Sequence, residues 1–352
     1  MEVPALVGSA RRASVKFAMA YRLSLLDKSP ILDGESASSA LSRTVALAQK
    51  AERWGFHRFW LAEHHGMIGL ASSAPEILVS YILANTSRIR VGSGGVLLQH
   101  YSPYKVAESF NLLAALAPGR VDLGIGKAPG GLPLSTKALQ WHHGPDNKTE
   151  LAEQLRQLNG FLDRRIDADH PLSGALAAPI PPTPPERFLL GASPDSARLA
   201  AEHGWSFVFA GQLNGDPEAI ERSFDAYAGA GGKGELLLAL AVLAAETQDE
   251  AERLVSGVKI VRLHLSSGQS VNLGSEEQAI EFARQSGADS YRTEIRRPSI
   301  LAGTAAHIRR ELDALHRRFG VREFILDTPV AAKSERLASI ALLADEILAV
   351  DA

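Results

Sequence analysis

The stretch RFWLAEHHGMIGLASSAPE (58–76) sets an acid and two adjacent histidines where an apolar, β-rich run gives way to a helix start. The three residues are Glu63, His64 and His65. On an extended backbone neighbouring side chains face opposite sides. One histidine is therefore expected to face a pocket while the other packs behind it. The two cannot easily share a metal ion, and their spacing differs from the i, i+4 pair of a helical zinc site. A histidine at a pocket can give or take a proton, or hydrogen-bond a bound anion. Two hydrogen-bonded structural histidines fit the same pattern.

Two further stretches suit ligand binding. VGSGGVL (91–97) places Gly94 and Gly95 within a strand, where glycine packs nothing and weakens the element. Such a pair marks either a bulge or the close approach of a flat ligand. In LLGASPDSARLAAEHG (189–204), a strand ends at Gly191. Ser193 and Ser196 straddle the start of the helix that follows, with Pro194 in its first turn. A helix N-terminus offers free N–H groups and the positive end of a dipole, which suits a phosphate. The hydroxyls add donors, although Ser193 also fits a simple N-cap. Lys127, after another strand, adds a point charge.

These residues need a frame that gathers strand ends. The apolar runs predict strands at 15–20, 57–63, 88–98, 120–126, 187–193, 205–210, 235–245 and 322–328. Helices are predicted at 39–55, 75–86, 102–119, around 149–163, and at 195–204, 304–320 and 334–348. The alternation predicts an α/β fold, a (β/α)8 barrel of parallel strands. The active site of such a barrel lies at the C-terminal ends of its strands. Glu63, His64, Gly94, Gly95, Lys127 and Ser193 all fall there. Residues 246–300 break the repeat and read as a mostly helical insertion after strand seven. Residues 1–14 read as a flexible arm before a single domain over 15–352. PIPPTPP (179–185) reads as a stiff surface connector.

Composition narrows the function. A chain of 352 residues that is 45% hydrophobic can build the large core of one such barrel. Its net charge of -3 offers no basic footprint for nucleic acid. Without cysteine it has no disulfide, no thiol catalysis and no cysteine-bound zinc. No apolar run reaches the ~18 residues of a membrane span. Arg11 and Arg12 form the pair of a twin-arginine export signal, but Lys16 and Arg22 interrupt the apolar run that would have to follow. The expectation is a cytoplasmic enzyme.

WLAEHH followed by ASSAPE, then SRIRVGSGGVLL, PGRVDLGIGKAPG and LLGASPDSARLAAEHGWSFVFA, together resemble the bacterial luciferase-like flavin-dependent oxidoreductases. The resemblance covers most of 16–210 and resumes weakly at 298–330. It is greatest to the single-chain group that includes natural-product monooxygenases. It implies a barrel that binds reduced FMN supplied by a separate reductase, and O2 activated on the flavin as a C4a-peroxide that oxygenates a small organic substrate. It implies His64 as the catalytic residue beside the flavin, with Glu63 in the same motif. It places a non-prolyl cis peptide at Gly94–Gly95 and the phosphate site on Ala192, Ser193 and Ser196. It also implies a homodimer paired through helices around 72–86 and 102–117, with the small residues at 71–75 allowing close approach.

There are two departures. Lys127 stands where the family more often has arginine, so the charge is kept and the two-pronged fork is lost. After the APG turn come Gly131, Leu132 and Pro133 in place of the usual acidic residue. Three rival readings remain on the same fold: a deazaflavin-dependent dehydrogenase, a non-catalytic flavin-binding protein and a metal hydrolase. Arg292, Arg296 and Arg297 in the insertion are candidates for an acidic or polyphenolic substrate, or simply a solvated face.

Overall fold

The structure, a computed structural model, describes residues 20–142, 149–212, 215–329 and 333–348. In chain order the elements are β1 (Arg22–Asp27), α1 (Ala37–Trp54), β2 (Arg58–Leu61), α2 (Pro75–Ala84), β3 (Arg90–Ser93), β4 (Val96–Leu97), α3 (Pro103–Leu116), β5 (Val121–Gly126), α4 (Pro133–Leu139), α5 (Leu151–Asp163), β6 (Glu186–Gly191), α6 (Pro194–Glu202), β7 (Ser206–Ala210), α7 (Pro217–Gly229) and β8 (Leu236–Ala244). Then come α8 (Gln248–Val255), β9 (Ile260–Leu265), β10 (Ser270–Leu273), α9 (Glu276–Ser286), β11 (Tyr291–Arg296), β12 (Ile300–Gly303), α10 (Ala305–Phe319), β13 (Glu323–Asp327) and α11 (Lys333–Leu343).

Parallel pairings run β1–β2–β3–β5–β6–β7–β8–β13 and return to β1, closing a (β/α)8 barrel. Local signals set the helices that wrap it. Ser36 caps α1 by accepting the Ser39 N–H at 3.1 Å, and Gly55 ends that helix at φ 87. Only glycine takes such a conformation at no steric cost. Among the described residues no helix is long and apolar enough to cross a membrane.

Two layers fill the barrel. Leu26, Trp60, Phe188, Val208, Leu237 and Ile325 form an apolar plug. Towards the strand N-termini lies a buried ionic layer centred on Arg58. Its guanidinium donates to Asp122, Glu186 and Glu323, each at 2.8 Å, and stacks on Phe188 with 4.7 Å to the ring centroid. Trp60 Nε1 donates to Asp122 at 2.9 Å. Removing one partner of such a buried network leaves an uncompensated charge, at a cost of about 3–5 kcal/mol. This layer seals the end of the barrel opposite the strand C-termini.

Two expectations need correction. The first strand is Arg22–Asp27, not 15–20; the expected arm (1–14) and residues 15–19 lie outside the described residues. RLSLLD does not look like a core strand because it carries Ser24 and Asp27. Both are buried, with Ser24 Oγ donating to Glu323 at 2.6 Å and Arg336 donating to Asp27 at 3.2 Å. The segment after β8 does hold helices α8 and α9, but it also forms an antiparallel sheet in the order β10–β9–β11. Val261, Leu263 and Leu265 alternate with polar residues and face a small core with Phe282. After it, β12 returns to the barrel and pairs with the end of β8.

Candidate active site at the barrel mouth

Because the barrel strands are parallel, their C-terminal ends gather at one mouth. The residues after β2, β3, β5 and β6 meet there, and each is held by identifiable contacts.

Glu63 is a brace. It is buried, and its Oε1 accepts from His65 Nε2 at 2.7 Å and from the Tyr101 hydroxyl at 2.8 Å. Its Oε2 accepts the Leu97 N–H at 3.0 Å. Burial, and then the Glu63 charge, push the Tyr101 hydroxyl's pKa well above its usual range. The carboxylate expected on the cofactor side is therefore engaged by three protein donors. His65 packs behind, edge-on to His100 with ring centroids 6.0 Å apart, and its N–H donates to Gly130 at 2.7 Å.

His64 turns the other way, as alternation requires. Its N–H donates to the Ser72 carbonyl at 2.8 Å, and the Ser72 hydroxyl in turn bonds the Ala62 carbonyl. The ring lies near the Lys28–Asp327 ion pair, whose atoms are 2.5 Å apart. Burial first, and then the Lys28 charge, hold the imidazole pKa down to about 4, with Asp327 opposing. The ring is neutral at physiological pH. Its Nδ1 is buried without a hydrogen-bond partner. A neutral ring can take a proton or make a hydrogen bond, but it does not rest as a charged acid.

The Gly94–Gly95 peptide bond is cis. Barrel packing alone demands glycine at 95 and crowds position 94. A Cβ on Gly95 would lie 2.7 Å from the Gly124 carbonyl oxygen and 2.8 Å from the Gly126 nitrogen. One on Gly94 would lie 2.8 Å from Leu26 Cδ1. Ser93 locks the turn by donating to the Gly124 carbonyl at 2.9 Å and accepting the Gly124 N–H at 3.1 Å.

At the end of β6, Ser193 caps α6. Its hydroxyl accepts the Ser196 N–H at 3.3 Å and lies 3.2 Å from the Ser196 hydroxyl. Gly191 leaves room for Ser196, since a Cβ there would collide with that side chain. Ala192 links β6 to the cap. Lys127 and Ser196 line one cavity of about 210 Å3, together with Leu190, Asp195 and Arg198. Arg198 is paired with Asp195. The structure thus joins Lys127 to the start of α6, while Arg292, Arg296 and Arg297 stay exposed and Arg296 pairs with Glu294 at 2.8 Å. Sequence reasoning missed Tyr101, Ser72, Lys28 and Asp327. They lie at strand ends or in the adjoining loops, and only closure of the barrel brings them together.

A family model described as luciferase-like monooxygenase matches residues 22–323. The chain belongs to the luciferase-like monooxygenase family. One relative of this luciferase-like monooxygenase is the N-acetyl-S-alkylcysteine monooxygenase of Bacillus subtilis (strain 168). The two are 44% identical over 331 residues, covering 93% of this chain and 98% of the relative. The crystal structure of apo-MsnO8 matches with a TM-score of 0.74 and 32% identity, over 94% of this chain and 99% of that one. The oxygenating constituent of 3,6-diketocamphane monooxygenase from Pseudomonas putida, a type II Baeyer-Villiger monooxygenase solved with FMN, has the same fold. Its TM-score is 0.66 at 19% identity, over 93% of this chain and 98% of that one. The chain is accordingly an oxidoreductase.

Proposed function

We propose that this monooxygenase uses reduced FMN, delivered by a separate reductase, and O2 to oxygenate a small organic substrate. The observation that carries the reading is the pairing, at one barrel mouth, of a neutral His64 with an unpartnered Nδ1 and a cavity lined by Lys127 and Ser196 at a helix start. Those donors fit a flavin phosphate. Lys127 supplies the charge, the Ser193 and Ser196 hydroxyls supply hydrogen bonds, and the chain at Ala192 leads into the helix N-terminus. His64 offers one hydrogen bond to the reacting ring and keeps its own proton. The apolar plug below the mouth excludes water from beneath the site. Bound reduced FMN would supply the electrons for oxygen activation.

The Bacillus relative acts, by its name, on N-acetyl-S-alkylcysteines. Thioether derivatives of that kind are the first substrates to assay. The same reading makes the chain a homodimer through α2 and α3.

The test is anaerobic titration with reduced FMN, followed by reaction under isotopically labelled O2. Wild type binds reduced FMN, and Lys127→Ala weakens that binding roughly tenfold while leaving riboflavin binding unchanged. One labelled oxygen atom enters the substrate. Failure to bind FMN, together with binding of a deazaflavin, would replace the reading with the dehydrogenase. Tight binding without oxygen incorporation into any substrate assayed would favour a carrier.

A further inference from the structure

In the ring of barrel strands, β5 and β8 are separated by β6 and β7. The inserted segment leaves the end of β8, yet its α9 packs on α4, which follows β5. It therefore spans the rim of the mouth from one to the other. At the contact, α4 has no side-chain cap of its own, because Leu132 holds its N-cap position. The first N–H groups of a helix need partners from outside it. Gln285 of α9 supplies one: its Oε1 accepts the Leu134 N–H at 2.9 Å. Glu281 orients that amide by accepting from Gln285 Nε2 at 2.6 Å. Beside the bond, Leu132 packs onto the small core of Val261, Leu263 and Phe282.

The same segment also lies against the loop of His64 and His65. The His65 N–H donates to the Gly130 carbonyl at 2.7 Å, and His65 bridges Gly131 as parallel strands do. The fit leaves no slack. A Cβ on Gly131 would run into the His65 carbonyl, and one on Gly66 into the Ser135 hydroxyl. Residues 130–135 are thus a strap between the histidine loop and the insertion.

We propose that Gln285 is a positioning residue: by capping α4 from the insertion, it holds the strap against the histidine loop and so fixes where His64 sits at the mouth. The His64 N–H is tied to the Ser72 carbonyl at 2.8 Å, so Ser72 and the strap grip neighbouring residues of one short loop. Without the cap, α4 frays from its first turn, the strap loosens and His65 loses its backbone partner. The benefit to oxygenation rests on the flavin reading above; the grip on the loop does not.

Hydrogen exchange of the full chain without flavin, read by mass spectrometry, tests this grip directly. Gln285→Leu removes the acceptor and keeps a helix-forming side chain. Exchange over 131–137 then rises about fivefold, as the loss of one hydrogen bond gives, and exchange over 62–67 rises with it by roughly threefold. Strands β1 and β13 exchange as before. Glu281→Gln combined with Gln285→Glu swaps donor and acceptor between the two side chains and restores slow exchange in both segments. If 62–67 stays slow while 131–137 speeds up, or if neither changes, the proposal is overturned. Faster exchange in β1 and β13 as well would make Gln285 a general stabiliser and overturn it too. Should Gln285→Leu fail to fold, Gln285→Ala carries the same prediction. In the flavin-loaded enzyme, kcat for oxygenation falls about fivefold in Gln285→Leu and recovers in the swapped pair; an unchanged kcat beside a loosened loop would refute the positioning role. An exchange effect without any flavin binding would keep this inference and sink the cofactor assignment instead.

Discussion

Glu63 and Leu97 are 34 positions apart, yet the Glu63 carboxylate accepts the Leu97 N–H at 3.0 Å. That bond ties the loop after β2 to the strand that follows the glycine pair. With the Tyr101 and His65 bonds to the same carboxylate, it makes Glu63 the rivet between the His64 loop and the start of α3.

Glu63→Gln should therefore destabilise the protein by about 2 kcal/mol. An amide NH2 would face one of three donors, leaving a buried pair unmatched. Tyr101→Phe removes one of the three bonds and should cost about 1 kcal/mol. Urea unfolding measures both. Equal stability of Glu63→Gln and wild type would show that the buried carboxylate is not needed as an anion.

The two glycines should tolerate a methyl group unequally. A Cβ on Gly95 meets backbone atoms of β5 that cannot move alone, whereas one on Gly94 chiefly meets the end of the Leu26 side chain, which can rotate away. Gly95→Ala is expected to cost about 3 kcal/mol and Gly94→Ala about 1 kcal/mol. Thermal unfolding of the pair decides it, and the reverse ranking would refute the packing argument.

The barrel was legible in the sequence because seven of its strands read as apolar runs set off by loops, Pro–Gly stops or helix caps. The site was legible where chemistry and chain order coincide: His64 and His65 on opposite faces, and Ser193 capping a helix just after a strand. The rest depends on closure. Lys28 and Asp327 are 299 positions apart, and no local period announces that pair. β1 was disguised by Ser24 and Asp27, whose partners Glu323 and Arg336 lie near the far end of the chain. Sequence alone leaves Gly94 and Gly95 open to a bulge or a flat ligand, because it cannot show that β5 and Leu26 crowd the space a Cβ would need.

Acid sensitivity follows from two partly buried histidines. Burial, and then Arg58, hold His57 down to about 4; burial, and then Lys28, do the same for His64. Unfolded, both return to about 6.5. Between those values the unfolded chain binds more protons than the folded one, so stability falls as pH drops from 6.5 towards 4. Above that window the two residues leave stability unchanged. Each adds a slope of at most about 1.4 kcal/mol per pH unit, reduced by solvent screening. Urea midpoints between pH 7 and pH 4.5 measure this. His57→Gln and His64→Gln should each flatten the slope, and an unaltered slope in both would assign the acid limb to carboxylates.

The exposed faces of α2 and α3 point to a second copy of the chain. Ile77 and Tyr81 lie one turn apart on α2 and are 65% and 61% exposed. Leu112 and Leu116 repeat the arrangement on α3 at 50% and 68%. Residues four apart share a helix face, so the four side chains form two apolar stripes on helices that contact each other. Pairing with a symmetric copy would bury the same patch on both partners. Sedimentation equilibrium at micromolar concentration should give a dimer. Ile77→Glu with Leu116→Glu should weaken it by about 100-fold or more, because two carboxylates per chain would have to be desolvated. The barrel of the doubly substituted chain should stay folded, since neither side chain belongs to its core. A wild-type monomer at that concentration would remove the interface and leave the stripes without a partner.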